Sequence, residues 1–155
     1  MKARSVASIK GWDWSTAESL HPGWLPALER VPLFQALSKR HLRRVGRLAE
    51  MKRFKKGAQV VRAGGRGDAF YVILDGTAEV ETPKGHKRKL SEGDYFGELA
   101  LLDGAPRAAT VTAMGVLTTA RIGRTGFLQL VKEEPTIGVG LAHGLVALVR
   151  DMQEE

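Results

Sequence analysis

Apolar and polar positions follow two different rhythms along this chain. From Met51 onward, short apolar or alternating runs are broken by glycine at regular intervals, which predicts strands at 59–62, 69–74, 77–81, 87–90, 109–113 and 117–122. The breaks are turn chemistry: Gly64-Gly65, Asp75-Gly76, Pro83-Lys84-Gly85, Glu92-Gly93-Asp94 and Met114-Gly115. Many short, evenly spaced strands predict a sandwich or barrel. Outside this region the spacing is helical. Ser38 caps a predicted helix running to about Glu50, with Leu42, Val45, Leu48 and Ala49 on one face. Thr125 caps another over 127–134, ended by Pro135, and a last helix covers 136–153 with Leu141, Leu145, Leu148 and Val149 on one side. Gly138, Gly140 and Gly144 each weaken its first half by about 1 kcal/mol relative to alanine. Those glycines suit either an easily remodelled helix or a small-residue packing face.

The segment 11–32 is irregular, with Trp12, Trp14 and Trp24 set among glycine, proline and polar residues. Ser15 and Glu18 form a capping-box pattern for a short helix ending at Pro22, and Pro26 opens another running to Val31. The tryptophans fit packing on the domain's own flank or a docking surface for another subunit.

At 155 residues, 43% hydrophobic and 26% charged, the chain fits one globular domain. There is no cysteine, hence no disulfide framework, thiolate metal site or thiol nucleophile. No apolar run is long enough to span a bilayer and no signal-peptide core follows Met1, so a cytoplasmic location is expected. His21, His41, His86 and His143 are scattered without metal-ligand spacing; neither a metal nor catalysis is expected. The net charge is +7, densest over 39–56, where Lys39, Arg40, Arg43, Arg44, Arg47, Lys52, Arg53, Lys55 and Lys56 stand against Glu50 alone. A solvated helix face accounts for this; nucleic acid, anionic lipid or an acidic partner are the alternatives.

The richest chemistry lies in the sixteen residues 96–111, FGELALLDGAPRAATV. Gly97 permits close backbone approach, and Glu98 to Leu102 are good helix formers, so a one-turn helix presents free N–H groups near Gly97. Such an end attracts phosphate. Asp103-Gly104-Ala105-Pro106 turns the chain and brings Arg107 back towards the same point, a planar guanidinium for the same anion. Ala108 and Ala109 leave main-chain N–H groups reachable. Glu98 is an acid beside an anion site, tolerable where it accepts a hydrogen bond from a ribose hydroxyl and Arg107 balances its charge.

This stretch resembles the phosphate-binding cassette of cyclic nucleotide-binding domains, FGE, apolar residues, a turn, then PR-x-A-T-V. Gly67, Asp68, Tyr71 and Gly76 match the family's earlier G-D-x-x-Y-x-I-x-x-G pattern, and the resemblance extends from about Val31 to Glu134. It implies an α+β fold, an antiparallel, jelly-roll-like β-roll flanked by N-terminal and C-terminal helices. One domain over 1–155 is expected, with a helical segment 1–50, the roll over 51–123 holding the cassette 96–111, and C-terminal helices over 125–155. The implied binding residues are Gly97, Glu98, Leu99, Ala100, Arg107, Ala108 and Ala109. Glu98 takes the ribose 2′-OH, Arg107 the exocyclic oxygens, and N–H groups near Leu99, Ala100 and Ala109 the rest. The implied ligand is cyclic AMP, with cyclic GMP disfavoured because Ala108 lacks the hydroxyl that reads guanine in parts of the family. In the family the last helix closes over the base, and Arg150 could reach it. The expected function is therefore a non-catalytic sensor without a cofactor, passing its signal to an effector protein or through self-association. Fragments of channels, kinases or transcription regulators carry the same sensor. The chain ends at Glu155 without room for a helix-turn-helix, so sequence-specific DNA binding is not expected.

Overall fold

A computed structural model describes residues 24–154. Its elements run α1 (Trp24–Glu29), a 3₁₀ turn (Pro32–Phe34), α2 (Lys39–Gly46), β1 (Glu50–Phe54), β2 (Gln59–Val61), β3 (Ala69–Asp75), β4 (Ala78–Glu81), β5 (Lys87–Leu90), β6 (Tyr95–Phe96), α3 (Ala100–Asp103), β7 (Thr110–Ala113), β8 (Leu117–Gly123), α4 (Arg124–Glu133) and α5 (Pro135–Gln153). The strands form two antiparallel four-stranded sheets, ordered β1-β8-β3-β6 and β2-β7-β4-β5. This is the expected α+β architecture, a β-roll flanked by helices. The tryptophans at 12 and 14, the capping box at Ser15 and Glu18, His21 and Pro22 lie outside the described residues.

All seven residues of β3 are buried, which explains why that run lacks alternation. One face meets the helices and the other lines the roll. On the helical side Phe70, Val72 and Ile122 join Phe34, Phe127, Leu130, Ile137 and Leu141; Phe34 meets Phe70 edge-on at 5.8 Å between ring centres. Inside the roll, Ile73, Ala78, Leu90, Val111, Ala113 and Leu117 form a second core.

Several boundaries differ from the sequence reading. The Ser38 helix, whose cap accepts from the His41 N–H at 3.1 Å, stops at Gly46 and not near Glu50; Leu48 and Ala49 pack on the core from the connection that follows. Residues 50–54, read as part of a basic run, are the edge strand β1, paired with β8. Exposed Lys52 and Arg53 hid its alternation, and charges on an edge discourage further pairing. The two-residue β6 was too short to announce itself. Helix α1 starts at Trp24, ahead of Pro26. Helix α4 starts at Arg124 with Gly123 as its N-cap, so Thr125 is inside the helix and does not cap it.

Helix α5 is continuous through all three glycines. A Cβ on Gly144 would lie 2.3 Å from the Leu33 carbonyl oxygen, and one on Gly140 2.6 Å from Leu37 Cδ2. Two of the three therefore let α5 lie against the 3₁₀ turn and the residues just after it. The N-terminal end of α5 is held by charge. Glu134 receives Arg40 at 3.3 Å, His41 at 3.1 Å and Arg44, all from α2. Part of the basic run thus serves to fasten the α4–α5 junction.

Candidate functional site

The site is assembled where β6 runs into α3 and the chain returns to β7. Phe96 stacks on Tyr71 of β3 with ring centres 5.1 Å apart, anchoring the entry to the cassette. Gly97 follows at φ +85°, where a side chain would be strained. A Cβ there would also sit 2.3 Å from Arg107 Nη1 and 2.8 Å from the Ala69 carbonyl oxygen. Glycine is thus required twice over, for its backbone angle and for the guanidinium beside it. Helix α3 makes one turn and is ended by Gly104 in the left-handed conformation, while Asp103 Oδ1 accepts from the Ala105 N–H at 2.9 Å and shapes the turn. Gly67 lies beneath that turn: a Cβ would come within 1.9 Å of the Ala105 carbonyl oxygen. The Gly-Asp pair of the earlier motif and the cassette are therefore packed against one another.

Backbone hydrogen bonds fix Arg107 from both sides, its N–H donating to Gly65 O at 2.9 Å and its carbonyl accepting from Gly64 N–H at 2.7 Å. Its side chain points inward and is only 8% exposed. Nη2 donates to the Ala69 carbonyl at 2.6 Å, and Nε is buried with no hydrogen-bond partner. No carboxylate among the described residues forms an ion pair with it. Burial pushes this guanidinium below its ordinary pKa, with Arg121 pushing the same way and Tyr71 and Asp68 opposing. A buried cation lacking an anion is costly, so the arrangement calls for one.

Beside Arg107 is a cavity of about 370 Å³, within the range of small-ligand pockets. Gly97, Glu98, Leu99, Ala100, Arg107, Ala108 and Ala109 all line it. Val61, Val80, Phe96 and Val111 supply its apolar side. Glu98 is half-buried and Leu99 is 48% exposed. Among the described residues no group of His, Asp or Glu could hold a metal ion.

A model of the cyclic nucleotide-binding domain matches residues 51–134. The chain belongs to the cyclic nucleotide-binding domain family. It is 46% identical over 96 residues to a cAMP-dependent protein kinase regulatory subunit of Mycosarcoma maydis, covering 59% of this chain and 18% of that protein. With the subunit of the same name from Emericella nidulans it shares 42% identity over 110 residues, covering 67% and 26%. The chain thus spans about a fifth to a quarter of these curated relatives. Among solved structures, the N-terminal domain of a transcriptional regulator from Streptomyces coelicolor A3(2) superposes with a TM-score of 0.70 at 26% identity, covering 83% of this chain and 95% of that one. A second protein of Ruegeria pomeroyi, described as a putative cyclic nucleotide binding protein, has a TM-score of 0.67 at 19% identity and covers 87% and 64%, a likeness of fold.

Two points of this family member's site were not read from the sequence. The apolar wall from Val61 and Val80 comes from strands far from the cassette in sequence, and Arg88 of β5 lines the same cavity. The signal for Arg88 was faint but present: it stands two residues before buried Leu90, on the same face of an alternating strand. Arg150, by contrast, is exposed on α5 and lines a separate groove with Leu145, Val146, Val149 and Gln153. No residue of α5 lines the cassette cavity. Among the described residues no helix is long and apolar enough to cross a membrane.

Proposed function

We propose that this domain is a non-catalytic sensor that binds a cyclic purine nucleotide in the cassette cavity, with cyclic AMP preferred over cyclic GMP, and signals by moving α5. The observation that carries the reading is Arg107: a nearly buried guanidinium with Nε unsatisfied, beside a cavity that Glu98 also lines. A cyclic phosphate supplies the missing anion, and Glu98 takes the ribose 2′-OH. Gly97, Leu99, Ala100, Ala108 and Ala109 supply close backbone around the phosphate. Ala108 offers guanine no hydroxyl, which favours adenine. The base is left open on the side that α5 does not cover, so closure of α5 with Arg150 near its end is the relay we infer. Exposed Val139, Val146, Val149 and Met152 give that helix apolar area to bury when it moves.

The related kinase regulatory subunits are several times longer than the matched stretch, so a protein effector, a kinase among them, is the partner class we propose for the signal. Calorimetric titration of nucleotide-free protein with cyclic AMP, cyclic GMP and linear AMP tests the whole reading. Cyclic AMP should bind tightest and linear AMP weakly, and Ala108→Thr should move the ratio towards cyclic GMP. Equal affinities for the two cyclic nucleotides would remove the base preference, and absence of binding would remove the site.

A further inference from the structure

The turn that feeds the cassette carries an exposed hydroxyl behind a basic run. Residues 87–91 read Lys-Arg-Lys-Leu-Ser, and of these only Leu90 is buried. Strand β5 lies at the edge of its sheet, paired with β4 alone, so its other side is open to an approaching chain. Arg88 and Lys89 thus stand three and two residues before the Ser91 hydroxyl in an accessible extended segment. That is a charge pattern that a kinase with an acidic substrate groove reads.

Ser91 opens a four-residue turn. Its carbonyl accepts from the Asp94 N–H at 2.9 Å, and its own N–H donates to Asp94 Oδ2 at 2.8 Å. The hydroxyl reaches the same carboxylate oxygen at 3.5 Å. Two further bonds clip the turn to β3: the Gly93 N–H donates to the Ile73 carbonyl at 2.9 Å, and the Ile73 N–H to the Asp94 carbonyl at 2.8 Å. From Asp94 the chain passes straight through β6 to Gly97 and Glu98. The charges of this corner act together. Burial raises the pKa of the Tyr95 phenol, Glu98 and Asp94 add to the rise, and Arg88 opposes it. Arg30, just after α1, stands over the same turn, its Nη2 3.0 Å from where a Cβ on Gly93 would lie.

We propose that Ser91 is a phosphorylation site for an arginine-directed serine/threonine kinase, and that the modification weakens nucleotide binding. The second half rests on the cassette cavity being the nucleotide site. In the transfer, Ser91 Oγ attacks the γ-phosphorus of Mg-ATP. The Oγ–P bond forms, the bond to the β–γ bridging oxygen breaks, ADP leaves, and the hydroxyl proton passes to the kinase's catalytic carboxylate. The product carries about two negative charges at neutral pH. The Asp94 carboxylate repels them and Arg30 attracts them, so the turn loses its Ser91 to Asp94 closure. That distortion enters the cassette through β6, and the added charge opposes an anionic ligand there.

The test is incubation of the nucleotide-free protein with Mg-ATP and the catalytic subunit of a cAMP-dependent protein kinase, followed by peptide mapping in a mass spectrometer and titration with cyclic AMP. One phosphate is expected on Ser91 in wild type and none in Ser91→Ala. The alanine variant keeps the backbone bond to Asp94 and should melt and bind like the parent. Phosphorylated wild type is expected to bind cyclic AMP roughly 5- to 50-fold more weakly than the unmodified protein, and Ser91→Glu, with a single charge, by a smaller factor. Absence of phosphate on Ser91 overturns the acceptor assignment, and the wild-type map decides this without the variant. Phosphate on Ser91 with unchanged affinity overturns the regulatory half while leaving the nucleotide site intact. Failure of the unmodified protein to bind cyclic AMP overturns the regulatory half together with the function proposed above, and incorporation still decides the acceptor.

Discussion

Arg107→Ala should separate what this side chain does for binding from what it does for folding. In the nucleotide-free domain, truncation releases a guanidinium that burial disfavours but leaves the Ala69 carbonyl without the donor now 2.6 Å away. These effects oppose each other, the lost hydrogen bond alone costing about 1–3 kcal/mol, so the net change in stability should be about 1 kcal/mol, a shift of a few degrees in Tm. Binding has no such offset. A buried phosphate without its charged partner loses about 2–5 kcal/mol, roughly 30- to 5000-fold in Kd. Thermal denaturation with nucleotide at about 100 times the wild-type Kd reads both quantities. Wild type gains about 2.7 kcal/mol from the ligand, and a variant weakened about 100-fold gains only about 0.4 kcal/mol. Arg107→Lys should fall between, since it keeps charge but loses the two-pronged donor geometry. Two results would refute the reasoning: an alanine variant that titrates like the parent, or one whose ligand-free stability falls by more than about 3 kcal/mol, making Arg107 a structural residue.

The glycines of α5 should respond oppositely to alanine in urea denaturation. Gly138, whose nearest contact for an added Cβ is 3.4 Å, should gain roughly 0.5–1 kcal/mol, while Gly144 should lose about 1–3 kcal/mol because a Cβ would press on the Leu33 backbone. Glu134→Gln should lower stability by about 1 kcal/mol at low salt, with the deficit shrinking at high salt, since its cationic partners are partly exposed; a salt-independent deficit would contradict the charge clamp. Nucleotide should slow hydrogen exchange over residues 136–153, and truncation before Leu145 should weaken affinity. Protection of the cassette without any change in α5 would make that helix a passive support.

Much of this domain is local, and that part was legible in the chain. The strands at 69–74 and 117–122 stand within a residue of β3 and β8, because apolar runs bounded by glycine turns leave little else for the backbone to do, and β5 at 87–90 is bracketed by the turns at Pro83-Lys84-Gly85 and Glu92-Gly93-Asp94. The cassette was legible because Gly97, the Asp103-Gly104 turn and Arg107 act over a dozen residues, a span that turn geometry controls. Strand β1 escaped because edge pairing with β8 joins residues about seventy apart, and its exposed lysine and arginine look like any solvated basic run.

Sequence by itself determined most of the elements and, through the resemblance of its motifs, the family and the residues that gather at the cassette, since those signals act over short distances. Only the tertiary structure decided what surrounds them. It buried Arg107 without an acid, gave Arg40, His41 and Arg44 a shared carboxylate in Glu134, and made two helix-weakening glycines into contact points. The physical reason is the same in each case: burial, charge pairing and close approach depend on segments 38 to 111 residues apart in the chain, and no local pattern encodes which of them will meet.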